Sequence, residues 1–132
     1  MYLQSTPYSI TDSTSILTIT ANPPAYKMTV IEITSEEQFE EILRANQRVA
    51  VDFMATWCGP CRLISPVFKQ LSEQFKDIVF VSVDVDKVAP VAQKYGVRAM
   101  PTFIMFKDGN KCDDMMGANK VGLEDKITGL AA

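Results

Sequence analysis

Histidine is absent from this 132-residue chain, and with it one of the two side chains that structural zinc sites usually take, four at a time and in separated pairs. Cysteine is scarce as well: only Cys58, Cys61 and Cys112 are present. A mononuclear zinc site would have to recruit carboxylates, or a cluster would have to bridge two chains. An odd, small number of cysteines also argues against a secreted disulfide scaffold, which carries more thiols in even number. No apolar run approaches the roughly 20 residues that span a bilayer, so no transmembrane helix is expected. Bases are outnumbered, 13 Lys and Arg against 16 Asp and Glu, and the net charge of −3 argues against nucleic acid or an anionic membrane as the main partner.

The first 27 residues are poor in charge and contain no arginine, with Asp12 and Lys27 the only charged side chains. They lack the basic start and long apolar centre of a secretory signal, and the arginines of a mitochondrial presequence. The expected location is therefore cytoplasmic rather than mitochondrial. What the stretch does hold is nine Ser or Thr and three Pro. It reads as a weakly structured extension, residues 1–27, ahead of a compact domain over 28–132. Within it Ser15-Ile16-Leu17-Thr18-Ile19-Thr20 alternates and is β-prone, the pattern of a strand added to a sheet edge.

From Met28 onward, strand and helix signals alternate. Thr29–Ile33 reads as a strand, and Ser35 as the start of a helix whose capping box is completed by Gln38, with Phe39, Ile42 and Leu43 on one face. Arg48–Met54 is nearly all apolar, as a strand buried on both faces should be. A long helix follows from Cys58, with Cys61, Ile64, Phe68, Leu71 and Phe75 on one stripe and a kink expected at Pro66. Ile78–Val83 is a third strand, Val88–Tyr95 a short helix ended by Gly96, and Thr102–Lys107 a fourth strand. Asp108-Gly109-Asn110 makes a turn into a fifth strand, Lys111–Met116, and a last helix carries Leu123, Ile127 and Leu130. The βαβα order demands parallel crossovers, while the closing β-turn-β demands an antiparallel hairpin. The fold class is α/β, a mixed sheet with helices on both faces.

The chemistry concentrates in Ala55-Thr56-Trp57-Cys58-Gly59-Pro60-Cys61-Arg62. A purely structural disulfide between Cys58 and Cys61 would close too short a loop to restrict the unfolded chain much. It would also leave unexplained why the pair opens a helix directly after a buried strand. Redox exchange explains the placement. A thiolate at a helix N-terminus faces unpaired backbone N–H groups and the positive end of the helix dipole, and each unit of pKa lowering needs only about 1.4 kcal/mol. Residues three apart on a helix have Cβ atoms roughly 5–6 Å apart, and a tightened first turn brings two sulfurs within bonding distance. Cys58 is expected at the exposed tip, as nucleophile. Cys61, one turn inside on the apolar face, would keep a higher pKa and need help losing its proton. Asp52 is the candidate helper, since an aspartate inside Val49–Met54 is costly unless it serves a network or a reaction.

On these residues the sequence resembles the thioredoxin family. Trp57-Cys58-Gly59-Pro60-Cys61 matches its WCGPC motif and Val51-Asp52-Phe53 its strand with the buried acid. Met100-Pro101-Thr102 matches the segment that holds its cis-proline, and Gly117-Ala118-Asn119 the loop after its last strand. The resemblance runs over residues 28–132, with the order and spacing of all four motifs kept. It implies a thioredoxin-like fold with a central mixed five-stranded sheet flanked by four helices. It also implies a mechanism in which Cys58 attacks a client disulfide, Cys61 resolves the mixed disulfide, and Asp52, through water, takes the proton from Cys61. Trp57, Gly59, Pro60, Met100, Pro101, Gly117 and Ala118 would frame the substrate-binding surface, with Met100 pairing with an extended client strand. No bound cofactor is implied, because NADPH acts indirectly through a thioredoxin reductase. Peroxiredoxins, methionine sulfoxide reductases and ribonucleotide reductase are the implied clients, and a monomer the implied state.

Two positions depart from the family pattern. Bacterial members often carry a lysine near the buried acid on the third strand, where Ser82 stands here. Cys112 replaces a usual apolar residue at the start of the last strand. It reads as a half-buried small hydrophobe, with a regulatory thiol that forms an intermolecular disulfide or a glutathione adduct as the alternative. The N-terminal extension offers a second route to a dimer. Two rival functions carry the same motif: a disulfide oxidase or isomerase of this fold, and a module that binds partners around Trp57 without redox turnover. Oxidases and isomerases usually place a histidine between the cysteines, which makes the disulfide more oxidising; Gly59-Pro60 supplies none.

Overall fold

The computed structural model describes residues 29–132; the extension, with the strand expected at Ser15–Thr20, lies outside the described residues. Nine elements follow in order: β1 (Val30–Glu32), α1 (Glu36–Ala45), β2 (Arg48–Met54), α2 (Gly59–Gln74), β3 (Val79–Asp84), α3 (Ala89–Lys94), β4 (Thr102–Lys107), β5 (Asn110–Met116) and α4 (Lys120–Ala131). The five strands form one sheet in the order β1-β3-β2-β4-β5. β3 pairs in parallel with β1 and β2, while β4 runs antiparallel to both β2 and β5. The expected mixed five-stranded sheet with four helices is therefore the observed architecture.

Central β2 owes its apolar run to burial from both sides, Val49 to Phe53 all being buried. Its odd positions, Val49, Val51 and Phe53, join Val81, Ile104 and Phe106 in the core beneath α1 and α3. Ala50 on the opposite face joins Phe80, Phe103 and Met105 in the core beneath α2 and α4. Asp52 falls on that second face by the period of two. Aromatic edges knit both layers: Phe68 of α2 meets Phe80 with ring centroids 5.1 Å apart, and Phe39 meets Phe106 at 5.9 Å.

Local chemistry sets the element ends. Ser35 caps α1, its hydroxyl accepting from the Gln38 amide at 3.1 Å. The reciprocal arm differs from a strict capping box: Gln38 Oε1 accepts from the Thr34 amide, one residue further out, at 2.7 Å. α2 continues through Pro66, which forfeits the hydrogen bond that a main-chain N–H there would give to the Arg62 carbonyl. Asp108 (φ 53°) and Gly109 (φ 83°) both take left-handed backbone, and Lys107 pairs with Asn110 across them. Such a two-residue loop matches the right-handed twist of the strands it joins. Among the described residues no helix is long and apolar enough to cross a membrane.

Candidate functional site

β2 delivers the chain from the middle of the sheet to the N-terminus of α2. Met54 ends the strand, Ala55 accepts the Cys58 amide at 3.1 Å, and Cys58 occupies the N-cap of α2. Its Sγ accepts a hydrogen bond from the Cys61 amide at 3.1 Å, so a sulfur takes the place that a Ser or Asp oxygen takes at ordinary caps. Pro60 lies in the first turn, where its missing N–H costs nothing. Cys58 and Cys61 are joined as a disulfide, their Cα atoms 5.3 Å apart.

Cys58 is not at an exposed tip. It is 4% accessible and Cys61 2%, because both pack with Ala55 in a small apolar cluster that Met54, Val85 and Met100 close from the sides. The exposed feature is Trp57, 65% accessible. Its indole N–H donates to Asp86 Oδ2 at 3.0 Å, which fixes the ring beside the dithiol without burying it. Sequence reasoning missed Asp86, since nothing in Asp84-Val85-Asp86-Lys87 shows which acid folds back towards the motif. Arg62 ties the motif's other flank, donating to the Thr56 carbonyl at 2.9 Å.

The loop before β4 completes this face. The Met100–Pro101 peptide is cis, Met100 packs against the cysteine cluster, and the Pro101 carbonyl accepts the Gly117 amide at 2.9 Å. Gly117 has a φ of 95°, left-handed backbone that glycine adopts without a Cβ clash. Gly59, Pro60 and Ala118 are exposed. Distant in sequence, Cys58–Cys61, Met100–Pro101 and Gly117 are thus tied to one another by packing and one main-chain hydrogen bond.

Asp52 sits two residues before Met54, 2% accessible, in register with Ser82 of β3 and Phe103 of β4. Its Oδ1 has no hydrogen-bond partner among the described residues. Desolvation by burial lifts its pKa from 3.8 to about 7, because an unsolvated, unpaired carboxylate is unfavourable. A carboxyl in that range exchanges protons near neutral pH. Cys112 stands apart on β5. It is exposed rather than half-buried, because β5 is an edge strand of the sheet among the described residues and its residues from Asn110 to Cys112 are all exposed.

A family model described as Thioredoxin matches residues 29–129. Thioredoxin-2 of Pyricularia oryzae is 51% identical over 104 residues, covering 79% of this chain; the chain spans 61% of that relative's length. Among solved structures, that of Malassezia sympodialis thioredoxin superposes with a TM-score of 0.75 at 43% identity, covering 78% of this chain and 91% of that one. A chain from work on the thiol resolving mechanism of yeast mitochondrial 1-Cys peroxiredoxin through glutathione and thioredoxin systems superposes with a TM-score of 0.74 at 35% identity, covering 79% and 98%. Sequence, fold and the Cys58–Cys61 disulfide agree, and the chain belongs to the thioredoxin family of thiol–disulfide oxidoreductases.

Proposed function

We propose that the protein is a general protein-disulfide reductase of the cytoplasm, acting as a monomer and recycled by an NADPH-dependent thioredoxin reductase. The observation that carries this reading is Cys58 at the N-cap of α2, disulfide-linked to Cys61 and accepting its amide hydrogen bond. In the reduced form the same N–H and the helix dipole stabilise a Cys58 thiolate. That thiolate attacks one sulfur of a client disulfide, forming a mixed disulfide and releasing the other client sulfur as a thiolate. Cys61 gives its proton, through water, to the Asp52 carboxylate, and its thiolate attacks Cys58 Sγ. The Cys58–Cys61 bond forms, the mixed disulfide breaks, and the second client thiolate departs. Electrons from two protein thiols have then reduced one client disulfide.

The burial of Cys58 supports reaction with a docked partner rather than with any dissolved disulfide. Trp57, Gly59, Pro60, Met100, Gly117 and Ala118 supply the docking surface, while Pro101, expected among them, is buried. Disulfide-bearing peroxiredoxins are one client class, in keeping with the peroxiredoxin setting of a structural relative; methionine sulfoxide reductases and ribonucleotide reductase are others. Insulin-disulfide reduction with NADPH and a reductase tests the reading. Cys58→Ser should abolish turnover, and Cys61→Ser should stall at mixed disulfides through Cys58. Turnover that survives Cys58→Ser, or capture through Cys112, overturns it.

A further inference from the structure

Asp52 is buried on the face of β2 that packs beneath α2 and α4. Its carboxyl lines a cavity of about 300 Å³ on the sheet face under α2, together with Thr29 and Val30 of the β1 edge, Met54, Ser82 of β3, and Ser65, Phe68 and Lys69 of α2. Ser65 and Lys69 are exposed, so the cavity meets solvent along the flank of α2. None of Trp57, Met100, Pro101, Gly117 or Ala118 lines it. The mouth is therefore separate from the surface that a client covers. Ser82 keeps it open: in register with Asp52, its short side chain leaves room where a longer one would fill the space. The orphaned Oδ1 is a buried acceptor beside that space, and a buried acceptor without a protein partner is ordinarily met by water.

We propose that solvent reaches Asp52 through this side cavity, and that the proton taken from Cys61 leaves by it while a client still covers the dithiol. The proposal rests on the reading of Asp52 as the base for Cys61. In balance, Asp52 carboxylate and Cys61 thiol become Asp52 carboxylic acid and Cys61 thiolate; the acid then returns its proton to water in the cavity, and the carboxylate is restored without client release. The charged groups on the elements around Asp52 stand at the rim or are engaged elsewhere. Lys69 of α2 is at the cavity's rim. Glu32 of β1, in register with Ser82, is paired with Lys87 at 3.8 Å. Asp84 of β3 accepts from the Asp86 and Lys87 amides. β4 presents Phe103, and α4 packs through Leu123, Ile127 and Leu130.

The test compares Ser82→Leu, which fills the cavity from the sheet, and Ser65→Leu, an exposed helix position at the mouth that folding tolerates, with the parent and with Asp52→Asn. Insulin reduction is followed across pH, and the Asp52 titration is read in parallel by carboxyl-carbon NMR of the reduced protein. Filling the cavity should move the Asp52 midpoint upward by about one pH unit and slow turnover about fivefold at the parent's midpoint pH, the loss in ionised fraction that such a shift entails. If both leucine variants keep the parent's midpoint and rate while Asp52→Asn is slow, the side route is wrong and Asp52 remains the base. If Asp52→Asn turns over like the parent, the reading of Asp52 fails and the route falls with it.

Discussion

Replacing Asp52 by asparagine should make the oxidised protein more stable at alkaline pH, by an amount the burial of the carboxyl sets. The unfolded chain releases this proton near 3.8, whereas the folded protein holds it to about 7. Between those values the unfolded state binds fewer protons than the native state, so stability falls as pH rises, by about 1.4 kcal/mol per unit. Below the lower value both states are protonated and there is no penalty. Above the upper value the penalty levels off at about 4 kcal/mol, a large part of the roughly 5–15 kcal/mol of a typical domain. Asparagine keeps the shape but brings an amide into the same partnerless site, a fixed cost of about 1–3 kcal/mol that does not vary with pH. The informative quantity is therefore the difference between the two proteins at about pH 8 minus that at about pH 3.5, expected near 4 kcal/mol in favour of asparagine. Urea unfolding followed by far-ultraviolet circular dichroism across that range measures it. A difference between the two proteins that stays flat over the whole range would refute the claim that Asp52 is held protonated by desolvation.

Three further outcomes follow from packing, capping and exposure. Phe68→Ala removes a fully buried ring set against Phe80 and Phe103 and should cost about 3–5 kcal/mol in urea unfolding. Ser35→Ala leaves the Gln38 amide without its cap and should cost about 1 kcal/mol by the same measurement. Cys112→Ser, at an exposed edge-strand position, should change stability by less than about 0.5 kcal/mol and abolish any disulfide-linked dimer formed under oxidant. Non-reducing electrophoresis showing the same dimer in both proteins removes Cys112 from a regulatory role.

The strands of this fold were legible in proportion to their burial. Arg48–Met54 and Thr102–Lys107 are observed with the bounds their apolar runs suggest, because burial on both faces demands an uninterrupted apolar stretch. β1, β3 and β5 differ from the expected bounds by a residue or two, since hydrogen bonds to neighbours decide where pairing stops. Cys58–Cys61 and Asp52 were legible because their residue types are costly or unusual where they stand, whereas the Met100-Pro101 segment was legible only through its resemblance to the family's motif.

By itself the sequence determined the alternation of elements, the helix that starts at the cysteine pair, and the presence of one acid inside a buried strand. These follow from local propensity and periodicity, which need no knowledge of what lies across the sheet. Only the tertiary structure decided that Cys58 is buried and Trp57 exposed, because Met54, Val85 and Met100 enclose the sulfurs while Asp86 holds the indole outside. It likewise placed Cys112 in solvent on the edge strand, and opened the cavity beside Asp52 on the flank of α2 rather than on the dithiol face. Accessibility depends on neighbours distant in the chain, and pattern along one strand or helix carries no record of them.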